Sequence, residues 1–255
     1  MKPKAAILFT SGTNCDFETS LALKMAGGDP VLFHTNDLKN SKSLRDFQMI
    51  IIPGGFSYGD HFGSATIWAN ELSNSLGEEL MRFLDSDKLI IGICNGFQAL
   101  VKLGILPGLS GRFSVESTLT DNVSGKFESR WVRLKVNPGS PCIFTKGLSE
   151  IEMPVAHGEG NFIPKDLSVF DKMIKNNQIT VQYVDENGTP VASYPKNPNG
   201  SFAAIAGICD PSGRAFGLMP HPERFIYSHQ RFLNKTSAAT GILIYKNAVN
   251  HFKTS

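Results

Sequence analysis

The chain has 255 residues, a formal net charge of +2 and only 19% charged residues, so it can build a substantial core as one large or two small domains. Lysine and arginine are scattered without a basic run, which excludes a nucleic-acid-binding footprint. No apolar stretch reaches the length needed to span a bilayer, and Met1-Lys2-Pro3-Lys4 leads straight into an apolar run too short for a signal peptide. The four cysteines (15, 94, 142 and 209) form no C-x-x-C pair, so no zinc or other metal site and no disulfide framework is expected, and a reducing cytoplasmic setting follows.

In chain order, Ala5 to Thr10 reads as a buried strand closed by the turn Ser11-Gly12-Thr13-Asn14. Asp16 is placed to cap a helix that carries Phe17, Leu21 and Met25 on one apolar face and stops at Gly27-Gly28. Val31–Phe33 and Phe47–Ile52 are further strands, the second running into Pro53-Gly54-Gly55-Phe56-Ser57-Tyr58-Gly59-Asp60. From about Ser64 a helix places Ala65, Trp68, Ala69, Leu72, Leu76, Leu80 and Phe83 at helical spacing. Leu89–Ile93 is a fourth buried strand, followed at once by a helical pattern on Phe97, Leu100 and Val101. Strands alternating with helices predict an α/β fold, a flavodoxin-like, mostly parallel sheet flanked by helices, with ligands beyond the carboxyl ends of the strands. Three loops meet that description: 11–16, 54–60 and 94–96.

The second half changes character. Phe127–Val136, Val155–Ile163, Ile179–Val184, Val191–Tyr194, Phe202–Ile208 and Ala215–Met219 read as short strands separated by turn dipeptides such as Ser124-Gly125, Asn199-Gly200 and Ser212-Gly213. They predict additional antiparallel strands, paired mainly as hairpins and laid against the α/β half. A closing helix carries Ile244, Ala248, Val249 and Phe252. No internal repeat or low-complexity linker interrupts the chain, so residues 1–255 are expected to form a single domain.

Gly92-Ile93-Cys94-Asn95-Gly96 spans the corner between strand and helix, a G-x-C-x-G version of the nucleophile elbow. Two readings are open on the spacing alone: a nucleophile above the sheet edge, its pKa lowered by the helix N-terminus, or a small buried residue ending a strand. An ordinary thiol with a pKa near 8.5 is about 3% ionised at neutral pH, and a shift to about 6 makes it roughly 90% thiolate, so a base is needed. Among six histidines, His34, His61, His229 and His251 have no acidic partner at a telling position. His221 does, in Pro220-His221-Pro222-Glu223, where prolines fix the loop and Glu223 can reach the second ring nitrogen. His157, in His157-Gly158-Glu159-Gly160, is the rival base and otherwise reads as pocket lining.

G-I-C-N-G-F-Q at 92–98, P-G-G-F-S-Y-G-D at 53–60 and M-P-H-P-E-R at 219–224 together resemble the class I (triad) glutamine amidotransferases. Within that class the chain is most similar to the glutaminase components of phosphoribosylformylglycinamidine synthases, which use glutamine in purine synthesis; Gly12–Asp16, Phe127–Trp131, Ala156–Gly160 and Asn197–Gly200 add to the likeness. It departs from many stand-alone members at His61-Phe62-Gly63-Ser64-Ala65, and is lengthened by residues 227–240.

The resemblance implies a Cys94–His221–Glu223 triad that hydrolyses L-glutamine to glutamate and ammonia through a thioester, with an oxyanion hole from the N–H groups of Asn95 and Gly55. Gly54, Phe56, Gln98, His157, Gly158 and Glu159 are the implied substrate-binding residues. It implies no cofactor in this chain, ATP and Mg being used by a partner, the large synthase subunit, with a small accessory subunit in the same complex. Segments 58–62 and 157–162 are the expected docking surfaces. The alternatives are a glutaminase subunit of another class I amidotransferase and a non-catalytic glutamine-binding or regulatory module of the same fold.

Overall fold

The structure is a computed structural model and describes residues 2–38, 44–111, 113–231 and 238–253; part of the 227–240 extension lies outside the described residues. Its elements in chain order are β1 (Lys4–Phe9), α1 (Asp16–Ala26), β2 (Asp29–His34), α2 (Thr35–Leu38), β3 (Met49–Ile52), α3 (Thr66–Asp85), β4 (Leu89–Ile93) and α4 (Asn95–Lys102). There follow β5 (Ser117–Thr120), β6 (Glu128–Val136), β7 (Glu150–His157), β8 (Asn161–Pro164), α5 (Leu167–Lys175), β9 (Ile179–Tyr183), β10 (Ile205–Cys209), β11 (Ala215–Leu218) and α6 (Gly241–His251).

Nine strands form one sheet in the order β2-β1-β3-β4-β11-β10-β9-β6-β7. The first five positions are all parallel and reproduce the doubly wound, flavodoxin-like order, with its switch point between β1 and β3. β3 and β4 are buried along their whole length, as their isoleucine runs require of central strands covered on both faces. Right-handed crossovers leave β1 and β3 in opposite directions along the sheet, so α1 and α3 cover opposite faces. α1 packs on α6, and α3 on α4. Beyond β11 the pairing becomes antiparallel through β10, β9, β6 and β7.

Several expectations are corrected. The antiparallel strands extend the same sheet edge to edge instead of lying against it as a second layer. The segment 155–163 is divided: its first part ends β7, and its last part is β8, which leaves the main sheet to pair with β5. The stretch 191–194 makes no strand; flanking Pro190 and Pro195 remove ladder donors, and a single Val184–Pro190 bridge remains. On α1 the apolar stripe faces outward: Phe17 is 75%, Leu21 46% and Met25 39% exposed, whereas Thr19, Ala22, Leu23 and Ala26 are buried. Small residues line that inner face because α6 approaches closely there. Asp16 is the first residue of α1 and not its cap, a place taken by Cys15.

Candidate active site

The parallel strands β1, β3, β4 and β11 all end at one edge, and their four following loops meet there. The tightest is the elbow between β4 and α4, where Cys94 adopts φ 51°, a conformation a non-glycine residue holds only when its surroundings over-determine it. Its N–H donates to the Leu218 carbonyl (2.8 Å) and its carbonyl accepts from Gln98 N–H (3.0 Å). Both flanking glycines are required by contact. A Cβ on Gly92 would lie 2.4 Å from the Gly96 carbonyl oxygen, and one on Gly96 would lie 1.9 Å from that of Ile52. Gly92 also pairs with Gly217 of β11, where a Cβ would meet the Phe97 ring at 2.0 Å, so paired glycines let α4 lie directly on the sheet.

The loop after β11 carries the second group. His221 N–H donates to the Pro154 carbonyl (2.8 Å), anchoring the loop to β7, and Pro222 opens a 3-10 turn at 222–224. His221 Nδ1 and Glu223 Oε1 are 2.6 Å apart, both side chains buried, so the carboxylate fixes the ring and leaves Nε2 unbonded among the described residues. Burial alone would lower the histidine pKa; Glu223 and Cys94 outweigh it and hold the proton well above the ordinary histidine range. Gly54 stands between the two reacting groups: a Cβ there would lie 2.8 Å from His221 Cε1, 3.2 Å from Cys15 Sγ and 3.4 Å from Cys94 Cβ.

An isolated bridge helps to place the Gly54–Asp60 loop. Phe56 N–H donates to Gly12 (2.9 Å) and Asn14 N–H to Gly54 (3.4 Å), which makes Thr13–Gly55 the non-hydrogen-bonded pair and turns the Gly55 N–H away from that ladder. Asn95 fastens the same loop to the elbow: its Oδ1 accepts from Ser57 N–H (3.1 Å), and its Nδ2 donates to Asp60 (3.0 Å) and Gln98 (3.0 Å). The Gln98 amide, with its oxygen on Asn95, donates to the Glu159 carbonyl, so both ends of this expected substrate contact are held by protein. The Glu159 carboxylate accepts from Ser64 N–H at 3.0 and 3.2 Å.

His157, the rival base, ends β7 behind the site. Its Nδ1 lies 3.1 Å from Asn122 Oδ1, and burial first, then the His221 charge, lower its pKa to about 3, which keeps it neutral. Segment 157–162 is no docking surface as a whole, because His157 and Phe162 are buried and Phe162 stacks on Phe97. Phe62, in the other expected docking segment, is 90% exposed. His251 has an acidic neighbour after all, Asp87 at 3.5 Å.

Asn14, Gly55, Phe56, Phe127, His221 and Arg224 are among the residues lining a cleft of about 240 Å³ over the site. A second cleft, of about 500 Å³, is lined by Asp60, Ser64, Gly158 and Glu159 and shares Phe56 and Phe127, whose rings are 6.1 Å apart, as its common wall. The sequence reading missed Asn122, which holds the His157 ring, carbonyl and Gly160 N–H together. It also missed the nearness of Cys15 Sγ to His221 Nδ1 (3.9 Å) and to Arg224 Nη2 (3.1 Å), although the 11–16 loop had been placed at this edge. Burial pushes the Cys15 thiol up to about 11, with the Glu223 charge adding to the effect, so it stays protonated. Cys15, His221 and Glu223 have ligand atoms within 4.8 Å of one another, but the His221–Glu223 hydrogen bond already occupies the nitrogen and oxygen a metal would need.

A strained cysteine at a strand–helix elbow, facing a histidine oriented by a carboxylate, is the arrangement of a thiol-dependent acyl-transfer enzyme. Residues 2–252 match the family described as CobB/CobQ-like glutamine amidotransferase domain, and the chain belongs to that family. It is 47% identical over 253 residues to the phosphoribosylformylglycinamidine synthase subunit PurQ of Dehalococcoides mccartyi, covering 97% of each chain. It is 42% identical to the protein of the same name from Methanococcus maripaludis, over 98% of this chain and 97% of the relative. Among solved structures it is similar to a chain of PurLQS from Thermotoga maritima, with a TM-score of 0.75 and 31% identity over 99% of this chain and all of that one.

Proposed function

We propose that this chain is the ammonia-producing glutaminase subunit of a phosphoribosylformylglycinamidine synthase. The observation that carries the reading is the convergence of Cys94, on its strained elbow, with a His221–Glu223 pair bonded at 2.6 Å. Cys94 Sγ gives its proton to His221 Nε2 and attacks the side-chain amide carbon of L-glutamine, and the oxyanion formed is met by the N–H groups of Asn95 and Gly55. Loss of one such donor typically costs about 10²–10³ in rate. His221 gives its proton to the leaving nitrogen, so ammonia departs and a glutamyl thioester remains. The same imidazole then takes a proton from water, whose attack releases glutamate and restores the thiol. Glu223 keeps Nδ1 protonated and Nε2 aimed at the reacting atoms throughout.

The substrate enters the cleft walled by Phe56 and Phe127, with Gly54, Gly158 and Glu159 beside it and Gln98 and His157 supporting the wall from behind. Ammonia set free in neutral water is rapidly protonated, so a synthase subunit that uses ATP and Mg docks over the mouth, with a small accessory subunit in the complex. The exposed Phe17, Phe56, Phe62 and Phe127 are the contacts such a partner would cover. Four buried free cysteines suit a reducing cytoplasm; among the described residues no helix is long and apolar enough to cross a membrane. Steady-state glutaminase assays test the reading: slow turnover by the chain alone, a large rise with the synthase subunit, and none with Cys94→Ala are expected. Equal rates with and without the partner, or an active Cys94→Ala variant, would overturn it.

A further inference from the structure

Glu223 uses only one of its oxygens on His221. The other, Oε2, is buried and has no hydrogen-bond partner among the described residues. Two more buried oxygens are in the same condition: Oη of Tyr245 on α6 and Oγ1 of Thr19 on α1. These are not scattered, because α1, α6 and the 222–224 turn pack on one another. The contact is close: a Cβ on Gly241, the first residue of α6, would lie 2.1 Å from the Pro222 carbonyl oxygen and 2.7 Å from that of Phe225. Tyr245 follows one helical turn later, on the face that meets the Glu223 turn.

Burial first, and then the Glu223 charge, raise the Tyr245 pKa, with the Thr19 hydroxyl acting in the opposite sense. The phenol therefore remains protonated, a donor, next to an ionised carboxylate. Three buried oxygens on elements packed against one another, none with a hydrogen-bond partner by geometry among the described residues, meet the requirement for a bridging water, which needs two to four polar partners.

We propose that Tyr245 and Thr19 are positioning residues of the triad: their hydroxyls, joined through one buried water, donate to Glu223 Oε2 and hold the carboxylate in the orientation that grips His221 Nδ1. This rests on the glutaminase reading above. The titratable and charged groups facing the His221–Glu223 pair are Cys94 from the elbow, Cys15 and Glu18 from the α1 side, Arg224 from the same turn, His157 from β7 and Tyr245 from α6. Only Tyr245 among them is changed in the test.

The test compares Tyr245→Phe, Thr19→Val and Thr19→Ser with the parent, each as the full chain with its synthase partner, by kcat, KM and the pH profile of kcat/KM. Tyr245→Phe and Thr19→Val should lower kcat about tenfold with KM within about twofold, the usual scale for losing one hydrogen bond to a charged group. Both should move the basic limb of the profile to lower pH, since a loosely held Glu223 supports the imidazolium less. Thr19→Ser, which keeps the hydroxyl, should recover the parent limb. A purely structural role would lower Tm and active fraction and leave the limb in place. An unmoved limb in both hydroxyl-deleting variants, with an active parent, would overturn the inference alone; an inactive parent would overturn the proposed function and the inference with it.

Discussion

Gly54 is the residue on which the reacting groups close. A methyl group there would press His221 Cε1 at 2.8 Å while leaving the sheet untouched. Gly54→Ala should therefore lower kcat by about 10², the cost of misplacing a catalytic group by roughly an ångström, with a small change in Tm. An unchanged kcat would show that His221 has room to move. His157 makes a separate prediction through stability. Its pKa is about 3 in the fold and about 6.5 unfolded, so between these values the unfolded chain binds one more proton. Its contribution is fully present above pH 6.5 and is lost as pH falls towards 3, with a slope of about 1.4 kcal/mol per pH unit. Urea titrations of parent and His157→Gln should converge or cross as pH falls through this window; parallel curves would contradict the shift. At this scale Cys94, His221 and Glu223 were legible because each stands in a backbone-specifying frame of glycine or proline. Asn122 was not, and of Cys15 only its place at a strand end was, since their partners come from segments distant in the chain, and no local spacing encodes that meeting.

The elements show where period alone fails. The α1 stripe of Phe17, Leu21 and Met25 has helical spacing, yet the opposite face is buried because α6 demands small residues there. α5 was missed although Asp166 caps it by accepting from Val169 N–H (3.0 Å); only Val169 and Met173 are buried, too few to make a pattern. By contrast α3 buries Trp68, Ala69, Leu72, Leu76, Leu80 and Phe83, a stripe long enough to be read directly. Two glycines on these elements should respond in opposite ways. A Cβ on Gly77, inside α3, meets nothing within 4 Å, so Gly77→Ala should stabilise by roughly 0.5–1 kcal/mol and raise Tm by about 1–4 °C. Gly96→Ala places a Cβ 1.9 Å from the Ile52 carbonyl and should destabilise by about 3 kcal/mol or more, since strand β3 or the elbow must shift. Calorimetry on both variants checks the pair, and a stabilised Gly96→Ala would contradict the close packing of α4 on β3.

Over the whole molecule, one sheet joins the parallel half that holds Cys94, His221 and Glu223 to the antiparallel half that walls the cleft. Within the parallel half β1 to β4 were legible because each strand–helix alternation is local, but β11 was not: residues 215–219 read as one more antiparallel strand, yet β11 pairs parallel with β4. The place of β9, β6 and β7 in the sheet was not legible either, because edge-to-edge extension and face-to-face packing use the same alternating strands. The same continuity brings β7, with His157, against the His221 loop. Phe56 and Phe127, both exposed, stand at the wall shared by the two clefts on this edge.

The central claim is that Cys94 is the nucleophile, and it is tested most directly by covalent capture with a chloroketone analogue of glutamine followed by mass-spectrometric mapping. A single adduct on Cys94, prevented by excess glutamine, is the predicted result. Labelling of Cys15, Cys142 or Cys209 in its place, or no adduct on a chain that turns over glutamine, would contradict the account.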